Sequence, residues 1–154
     1  IMSRLGEFDL FVSKAAEEVV RMYRKKKSNF PPQTRIFRDT TASSAPVGFF
    51  YKNLYHTLII APATSNSIAK FVAGISDNLA TNIFAQAGKC KVPCIVLACD
   101  TKPEHDTYAP SKIVKVYPRK IDLENTKKLK SFKLTQVVSS VEQLKKVLYK
   151  KKNV

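Results

Sequence analysis

A run of small polar residues follows an apolar stretch in the middle of the chain. Residues 58–61 are apolar, Pro62 ends them, and the next polar side chains are those of Thr64, Ser65, Asn66 and Ser67. Free backbone N–H groups at the start of a helix bind anions, and short polar side chains add further donors. The run therefore suits a phosphate or the polar edge of a flavin. Simple N-capping by Ser65 or Asn66 explains it equally well, and the local pattern leaves both readings open.

The cysteines and histidines give less evidence of a functional site. Cys90, Cys94 and Cys99 are separated by three and four residues, which matches neither a disulfide framework nor a zinc knuckle. His56 and His105 are the two histidines of the sequence, so a His-rich metal cluster is excluded. We expect reduced, mostly structural thiols and no metal site.

The elements that must position these residues alternate between strands and helices. Apolar runs without alternation, such as 58–61 and 94–99, are typical of strands buried on both faces. Further strands are predicted over 8–12, 113–117 and 134–138. Helices are predicted over 15–22, 68–75, 79–87, 122–131 and 141–148, with Gly88 ending the third and a capping box of Ser139 and Glu142 beginning the last.

This alternation predicts an α/β fold class, a three-layer doubly wound parallel sheet of Rossmann-like or flavodoxin-like type, in a single domain over residues 1–154. Ligands of such folds bind at the carboxyl ends of the strands. The rule selects three loops as candidate sites: Ser13 with Lys14, residues 62–67, and residues 98–101 with Asp100.

The charge is large and uneven. The 154 residues carry a net charge of +15, and residues 21–38 hold seven basic side chains and no acidic one, while residues 112–154 hold thirteen basic and three acidic ones. The basic flanks are either a lysine-rich solvated surface or a landing patch for an acidic partner. No aromatic-interleaved basic motif supports nucleic-acid binding. No apolar run of membrane-spanning length and no signal-peptide pattern occurs, so a cytoplasmic protein is expected.

The sequence resembles a known family over nearly its whole length. Residues 62–67 read Pro-Ala-Thr-Ser-Asn-Ser and residues 74–79 read Gly-Ile-Ser-Asp-Asn-Leu. This pattern is similar to the signature of the flavoprotein family that includes phosphopantothenoylcysteine decarboxylases, lantibiotic decarboxylases and flavin prenyltransferases. Val-Ser-Lys-Ala-Ala at 12–16 resembles the family's second strand and loop. Residues 99–103 and 115–120 are most similar to the archaeal electron-transferring branch, the archaeoflavoproteins.

The resemblance implies a noncovalent FMN near a subunit interface of a homo-oligomer, which we expect to be a dimer or trimer. It implies that Ser13, with Lys14 beside it, approaches the flavin phosphate or ribityl chain. The isoalloxazine and its polar edge would be lined by Ala63, Thr64, Ser65, Asn66 and Ser67. Asp77 and Asn78 would order the turn that completes the site. Asp100 would either reach the pyrimidine side of the flavin or cap its own loop.

Three departures from the family pattern limit which properties of the family we expect in this chain. The Pro-x-Met-Asn-x-x-Met-Trp clamp of the decarboxylases is missing, and the chain has no Trp. The Ser-Met-Lys of the prenyltransferases is replaced by Ala-Thr-Ser at 63–65. Relatives open with a strand and a Gly/Ser-rich loop that receives the flavin phosphate, and we expect that first strand and phosphate loop to be missing here.

The resulting functional prediction is an FMN-binding protein that transfers electrons and accepts them from ferredoxin. An FMN-dependent reductase of the dihydromethanopterin type is the alternative. Decarboxylation of cysteine conjugates is disfavoured by the missing clamp. No protein acid, base or nucleophile is predicted, because the flavin itself carries the redox chemistry.

Overall fold

The computed structural model describes residues 7–23, 33–40 and 45–152. Its strands are β1 (Leu10–Val12), β2 (Ile36–Arg38), β3 (Leu58–Ala63), β4 (Cys94–Ala98), β5 (His105–Tyr108), β6 (Ile113–Val116) and β7 (Thr135–Val138). Its α-helices are α1 (Lys14–Met22), α2 (Ser65–Ala73), α3 (Leu79–Lys89), α4 (Lys120–Leu129) and α5 (Val141–Lys152). A 3₁₀ helix covers Ala45–Lys52.

The strands form two parallel sheets and one antiparallel hairpin. The larger sheet has the order β3–β4–β7, with Ile59 opposite Ile95 and Val96 opposite Val137. β1 and β2 form a second parallel pair. Within the described residues, no strand joins β1 to β3 by hydrogen bonds. α2 and α3 connect β3 to β4, and α4 lies between β4 and β7 in the chain. The parallel α/β fold predicted from the sequence is confirmed.

The helices lie on both faces of the larger sheet. Alternate residues of β4 pack on one side in a cluster with Ile68 of α2, Ile83 of α3 and Leu129 of α4. On the other side Ile95 packs with Val138 and Leu148 of α5. Because β4 is covered from both directions, its sequence is apolar throughout, which confirms the three-layer arrangement.

Gly88 and Ser139 do not cap helices as predicted. Gly88 lies inside α3, which continues to Lys89 and is capped by Cys90, and the left-handed residue that follows is Lys91 with φ of 57°. The last helix begins at Val141 as predicted, but its cap is Ser140 with Gln143 rather than Ser139 with Glu142. The Ser140 hydroxyl accepts a hydrogen bond from the Gln143 N–H at 3.2 Å, and Gln143 reaches back to the Ser139 N–H at 2.9 Å.

Two strands, β2 and β5, were not predicted. β5 pairs antiparallel with β6, so that His105 lies opposite Val116 and Tyr108 opposite Ile113. Its residues are polar or aromatic and largely exposed, and therefore carry no apolar periodicity. The strand expected at 113–117 is thus half of a hairpin rather than a member of the parallel sheet.

The apolar stripes of the helices predicted over 68–75 and 79–87 are mostly internal. Ile68, Phe71, Leu79 and Ile83 are buried in the chain's own core, and Ile75 is the exposed member of that set at 48%. The helices use these side chains to cover the sheet. None of the described helices has the length and apolar composition needed to cross a membrane.

Truncation of Leu129 tests whether α4 is anchored by its core contact. Leu129 is fully buried, so Leu129→Ala should lower the free energy of unfolding by about 2–5 kcal/mol. Leu54→Ala is the matched control, because Leu54 is 53% exposed, and it should change the stability by roughly 0.5 kcal/mol or less. Urea unfolding followed by circular dichroism measures both. Equal losses in the two variants would contradict the packing of α4.

Candidate functional site

The loop between β3 and α2 is built around a helix cap. Ala63 ends β3 and is almost fully buried, which leaves Thr64 at the carboxyl edge of the strand. The Thr64 hydroxyl accepts a hydrogen bond from the Ser67 N–H at 3.4 Å, and its carbonyl accepts from the Ile68 N–H at 3.0 Å. Thr64 is therefore the N-cap of α2, and capping by Ser65 or Asn66 is wrong.

The first N–H groups of α2 are left available by this arrangement. A helix provides no internal acceptor for its first N–H groups, and the Thr64 side chain accepts only from Ser67. Among the described residues, no hydrogen bond is made by the Ser65 or Asn66 N–H. The N–H groups of Ser65 and Asn66 remain at the positive end of the helix dipole. The side chains of Thr64 and Asn66 are exposed beside them. This end of α2 can bind an anion or an electron-rich ring edge.

Asp100 closes the same edge from β4. The Ser65 hydroxyl donates a hydrogen bond to the Asp100 carboxylate, and the Cys99 N–H donates to the Ala63 carbonyl at 3.0 Å. The Thr126 hydroxyl of α4 lies 3.4 Å from the Asp100 main-chain carbonyl, while its shorter hydrogen bond, of 3.0 Å, goes to the Asp122 carbonyl. Ser65 and Asp100, both selected from the sequence, are thus brought into direct contact, and the Ser65 hydroxyl is committed to that contact.

His105 is a member of this cluster that sequence reasoning missed. Its Nε2 lies 3.4 Å from the second Asp100 carboxylate oxygen. Its Nδ1 is buried and has no hydrogen-bond partner among the described residues. No signal in the sequence pointed to His105, because its strand β5 has no apolar pattern. His56, in contrast, is exposed before β3, and its Nδ1 lies 3.1 Å from the Thr57 hydroxyl.

The β1–α1 loop forms a second cap at the carboxyl edge. The Ser13 hydroxyl accepts a hydrogen bond from the Ala16 N–H at 3.2 Å, and Lys14 is exposed in the first turn of α1. Asp39, which follows β2, donates its N–H to the Val12 carbonyl at 3.1 Å. Ser13 and Lys14 therefore lie beside the end of β2 as well as β1.

Asp77 and Asn78 form the turn before α3. Asn78 and Thr81 make a capping box, and Asp77 pairs with Lys70 at 2.6 Å. The hydrogen bond from Lys70 lowers the pKa of Asp77 below its ordinary value. Asp39 accepts a hydrogen bond from the Leu79 N–H at 3.3 Å, which ties this turn to the end of β2. Asp39 is the second residue that the sequence did not reveal.

The candidate residues therefore fall into two groups of direct contacts. One consists of Ala63, Ser65, Cys99, Asp100 and His105, and the other joins the Ser13 loop to the Asn78 turn through Asp39. Among the described residues, no hydrogen bond connects the two groups.

Cys99 lies at the edge without the properties of a reactive thiolate. Partial burial of the thiol and the neighbouring Asp100 carboxylate raise its pKa above the ordinary value. A thiol is a poor metal ligand and nucleophile while it is protonated. No disulfide joins Cys90, Cys94 and Cys99. Within the part of the chain that the structure describes, no three His, Cys, Asp or Glu side chains are grouped as a metal site.

Known proteins resemble this chain in sequence and in fold. DmrB of Burkholderia xenovorans, crystallised with FMN and described as a cubic protein cage for redox transfer, superposes with a TM-score of 0.84 and 44% sequence identity. That alignment covers 97% of this chain and 84% of DmrB. An uncharacterized protein of Methanocaldococcus jannaschii is 34% identical over 148 residues, which are 94% of this chain and 79% of that protein.

A named enzyme is similar over a shorter stretch. The dihydromethanopterin reductase (acceptor) of Methanosarcina mazei is 41% identical over 97 residues, 58% of this chain and 41% of the reductase. The chain thus spans less than half the length of that relative. The family model described as Flavoprotein matches residues 3–150, nearly the whole chain. On the strength of that match, and of the two long alignments with DmrB and the Methanocaldococcus protein, the chain belongs to the flavoprotein family.

Proposed function

We propose that the protein binds FMN at the carboxyl edge of β3 and β4 and passes electrons between a reduced donor and an acceptor. The observation that carries the proposal is the available N-terminus of α2, placed beside small side chains at a strand end. Membership of the flavoprotein family and the FMN complex of DmrB support the choice of ligand.

The residues present fit a flavin. Ala63 belongs to the chain's own core, so its side chain would not line the ring. The Ser65 and Asn66 N–H groups at the start of α2 would meet the polar edge of the flavin. The unpartnered Nδ1 of His105 needs a polar partner, because an unsatisfied buried nitrogen costs about 1–3 kcal/mol. Ser13 and Lys14 would hold the phosphate or ribityl chain, while Asp77 and Asn78 keep the neighbouring turn in place. The first strand and phosphate loop expected from the family do not lie among the described residues.

The chain's own contribution is binding and charge. FMN supplies one- and two-electron redox chemistry when bound. The Asp100 carboxylate accepts a hydrogen bond from Ser65 and lies 3.4 Å from His105 Nε2, so it has a set position at the edge. The α2 N-terminus places positive potential next to it. Ser67 completes the loop, with its hydroxyl 3.3 Å from that of Thr64.

Two versions of this function differ in the molecule that accepts the electrons. Electron transfer to a protein or small carrier is the first version. Reduction of a dihydropterin is the second, favoured by the two relatives named dihydromethanopterin reductase (acceptor). Both need the same flavin site, and we infer a cytoplasmic setting for both. A decarboxylase has no support beyond the family, since the clamp sequence and Trp are missing from this chain.

A truncation at the loop tests the flavin site. Asn66→Ala removes an exposed side chain beside the α2 N-terminus, and it should weaken FMN binding about 2- to 10-fold, the value of one hydrogen bond. Asn125→Ala on α4 is the matched control and should bind FMN normally. Fluorescence titration of apoprotein with FMN gives the affinities, and melting temperatures confirm that both variants fold. Unchanged affinity in Asn66→Ala would refute the assignment.

An apolar surface for self-association lies on α1 and the β5–β6 hairpin. Tyr108 and Ile113 face each other across the hairpin and are 76% and 59% exposed. The Tyr23 hydroxyl, just after α1, donates to the Tyr108 carbonyl at 2.5 Å, so the hairpin and α1 adjoin. α1 has no buried residue and exposes Val19, Val20 and Met22. We infer that a second copy of the chain covers this surface, as self-assembly of DmrB into a cage also suggests.

Polar substitutions in the hairpin test this interface. The double variant Tyr108→Ser and Ile113→Ser should shift the protein toward monomers at micromolar concentration, because the apolar area available for association is reduced. Tyr149→Ser on α5 alters an aromatic residue that is 44% exposed elsewhere and should leave the mass unchanged. Analytical ultracentrifugation measures all three proteins. A monomeric wild type, or a double variant that assembles normally, would argue against the interface.

The electron donor is proposed to be an acidic protein such as ferredoxin. The net charge of +15 favours such a partner. Lys25, Lys26 and Lys27 belong to one of the basic runs but lie outside the described residues. Within the structure, Lys127 and Lys128 are exposed on α4, adjacent to Thr126, which contacts Asp100. α4 therefore offers positive charge close to the proposed flavin site.

Charge reversal on α4 tests donor docking. Lys127→Glu with Lys128→Glu should slow reduction by ferredoxin several-fold, and the rate of the wild type should fall as salt shortens the Debye length from about 30 Å at 0.01 M to about 8 Å at 0.15 M. Reduction by dithionite needs no docking and should stay the same. Lys146→Glu with Lys150→Glu on α5, across the sheet, is the control. Stopped-flow rates that ignore both salt and the α4 charges would remove the support for an acidic donor.

A further inference from the structure

A cavity lies apart from the proposed flavin loop. It has a volume of about 390 Å³ and runs along one face of α3, from the end of α2 to the turn that leads into β7. Cys94, the first residue of β4, lies at its wall, whereas Asp100 follows the last residue of the same strand. The cavity, called here the α3 groove, therefore opens toward the amino end of β4.

Gly88 leaves the α3 groove open. It lies within α3, where glycine destabilises a helix by about 1 kcal/mol relative to alanine. It does not cap the helix, since Cys90 does, and its backbone is not in the left-handed region. A Cβ placed on Gly88 would meet no atom within 4 Å, so close packing does not require glycine either. What glycine provides at this position is free space above the helix.

The walls of the α3 groove are aromatic. The rings of Phe71 and Phe84 are stacked with centroids 4.3 Å apart, and Phe132 lies 6.5 Å from Phe84. At the mouth, Leu134 is 52% exposed with φ of 61°, a conformation that is rare for a leucine. An exposed apolar residue in a strained conformation at the rim of a cavity is typical of a binding site.

The rim of the α3 groove is positively charged. Lys70, Lys89 and Lys133 line it. Lys70 pairs with Asp77 at 2.6 Å, whereas Lys89 and Lys133 make no ion pair with any of the described residues. Two uncompensated ammonium groups next to an aromatic wall attract a molecule with a flat apolar body and a negative head.

We propose that the α3 groove binds a small aromatic anion. The ring system packs against Phe84 and Phe132 over Gly88, and the carboxylate, sulfonate or phosphate lies between Lys89 and Lys133. This site is separate from the proposed flavin site and does not depend on it.

Naphthalene-2-sulfonate is a suitable probe, because it combines a rigid aromatic body with one fixed charge. Calorimetric titration of FMN-saturated wild-type protein should show one site per chain. Gly88→Leu fills the groove and should weaken binding at least 10-fold without lowering the melting temperature. Lys89→Glu and Lys133→Glu should each weaken it several-fold, while Lys146→Glu on α5 should not. The neutral analogue 2-naphthalenemethanol should bind several-fold more weakly than the sulfonate.

Three results would overturn the proposal. The first is absence of binding to the wild type at millimolar probe. The second is equal affinity in Gly88→Leu and wild type, which would place the probe elsewhere. The third is a change of oligomer mass in Gly88→Leu together with no probe binding to the wild type, which would make the groove a contact between copies. FMN affinity measured on the same variants should be unchanged, so failure here is distinguishable from failure of the flavin site.

Discussion

Burial of β4 on both faces is the constraint on which the other elements depend. Its five residues have no polar side chain, and they can leave water only if helices cover the sheet from two sides. α2, α3 and α4 supply one layer and α5 the other. Because β4 lies between β3 and β7, the ends of the neighbouring strands are fixed with it, and Asp100 meets Ser65 at the common edge.

That dependence explains why part of the molecule is readable from the sequence. Strands buried on both faces have continuous apolar runs, so β3 and β4 were predicted close to their observed bounds. The start of β7 was predicted within one residue. The strand-end rule then placed Ser65 and Asp100 at one edge before any contact was known. The hydrogen bond between them follows from side-chain geometry that the rule does not describe. Whether residues 1–154 form a single domain stays a prediction.

The parts that were missed lack a hydrophobic signal. β2 is three residues long, and β5 is polar, so neither produces a recognisable period. Asp39 follows β2 and His105 begins β5, and both residues were missed for the same reason. Gly88 shows the opposite error, because glycine near a helix end is so often a terminator that a second use was not considered. Its use becomes visible only when the space above it is known.

The unburied α1 has a thermodynamic consequence. This helix is held by its Ser13 cap, the ion pair of Glu17 with Arg38 and the contact of Tyr23 with Tyr108, all at the surface. Such a segment opens by local unfolding at a cost well below that of the core. A ligand touching both the Ser13 loop and the start of α2 binds only the closed form, and at 100 times its Kd it would add about 2.7 kcal/mol to closure. Amide hydrogen exchange in α1 would then report whether a ligand is bound at the carboxyl edge of the strands, although most of α1 lies away from that edge.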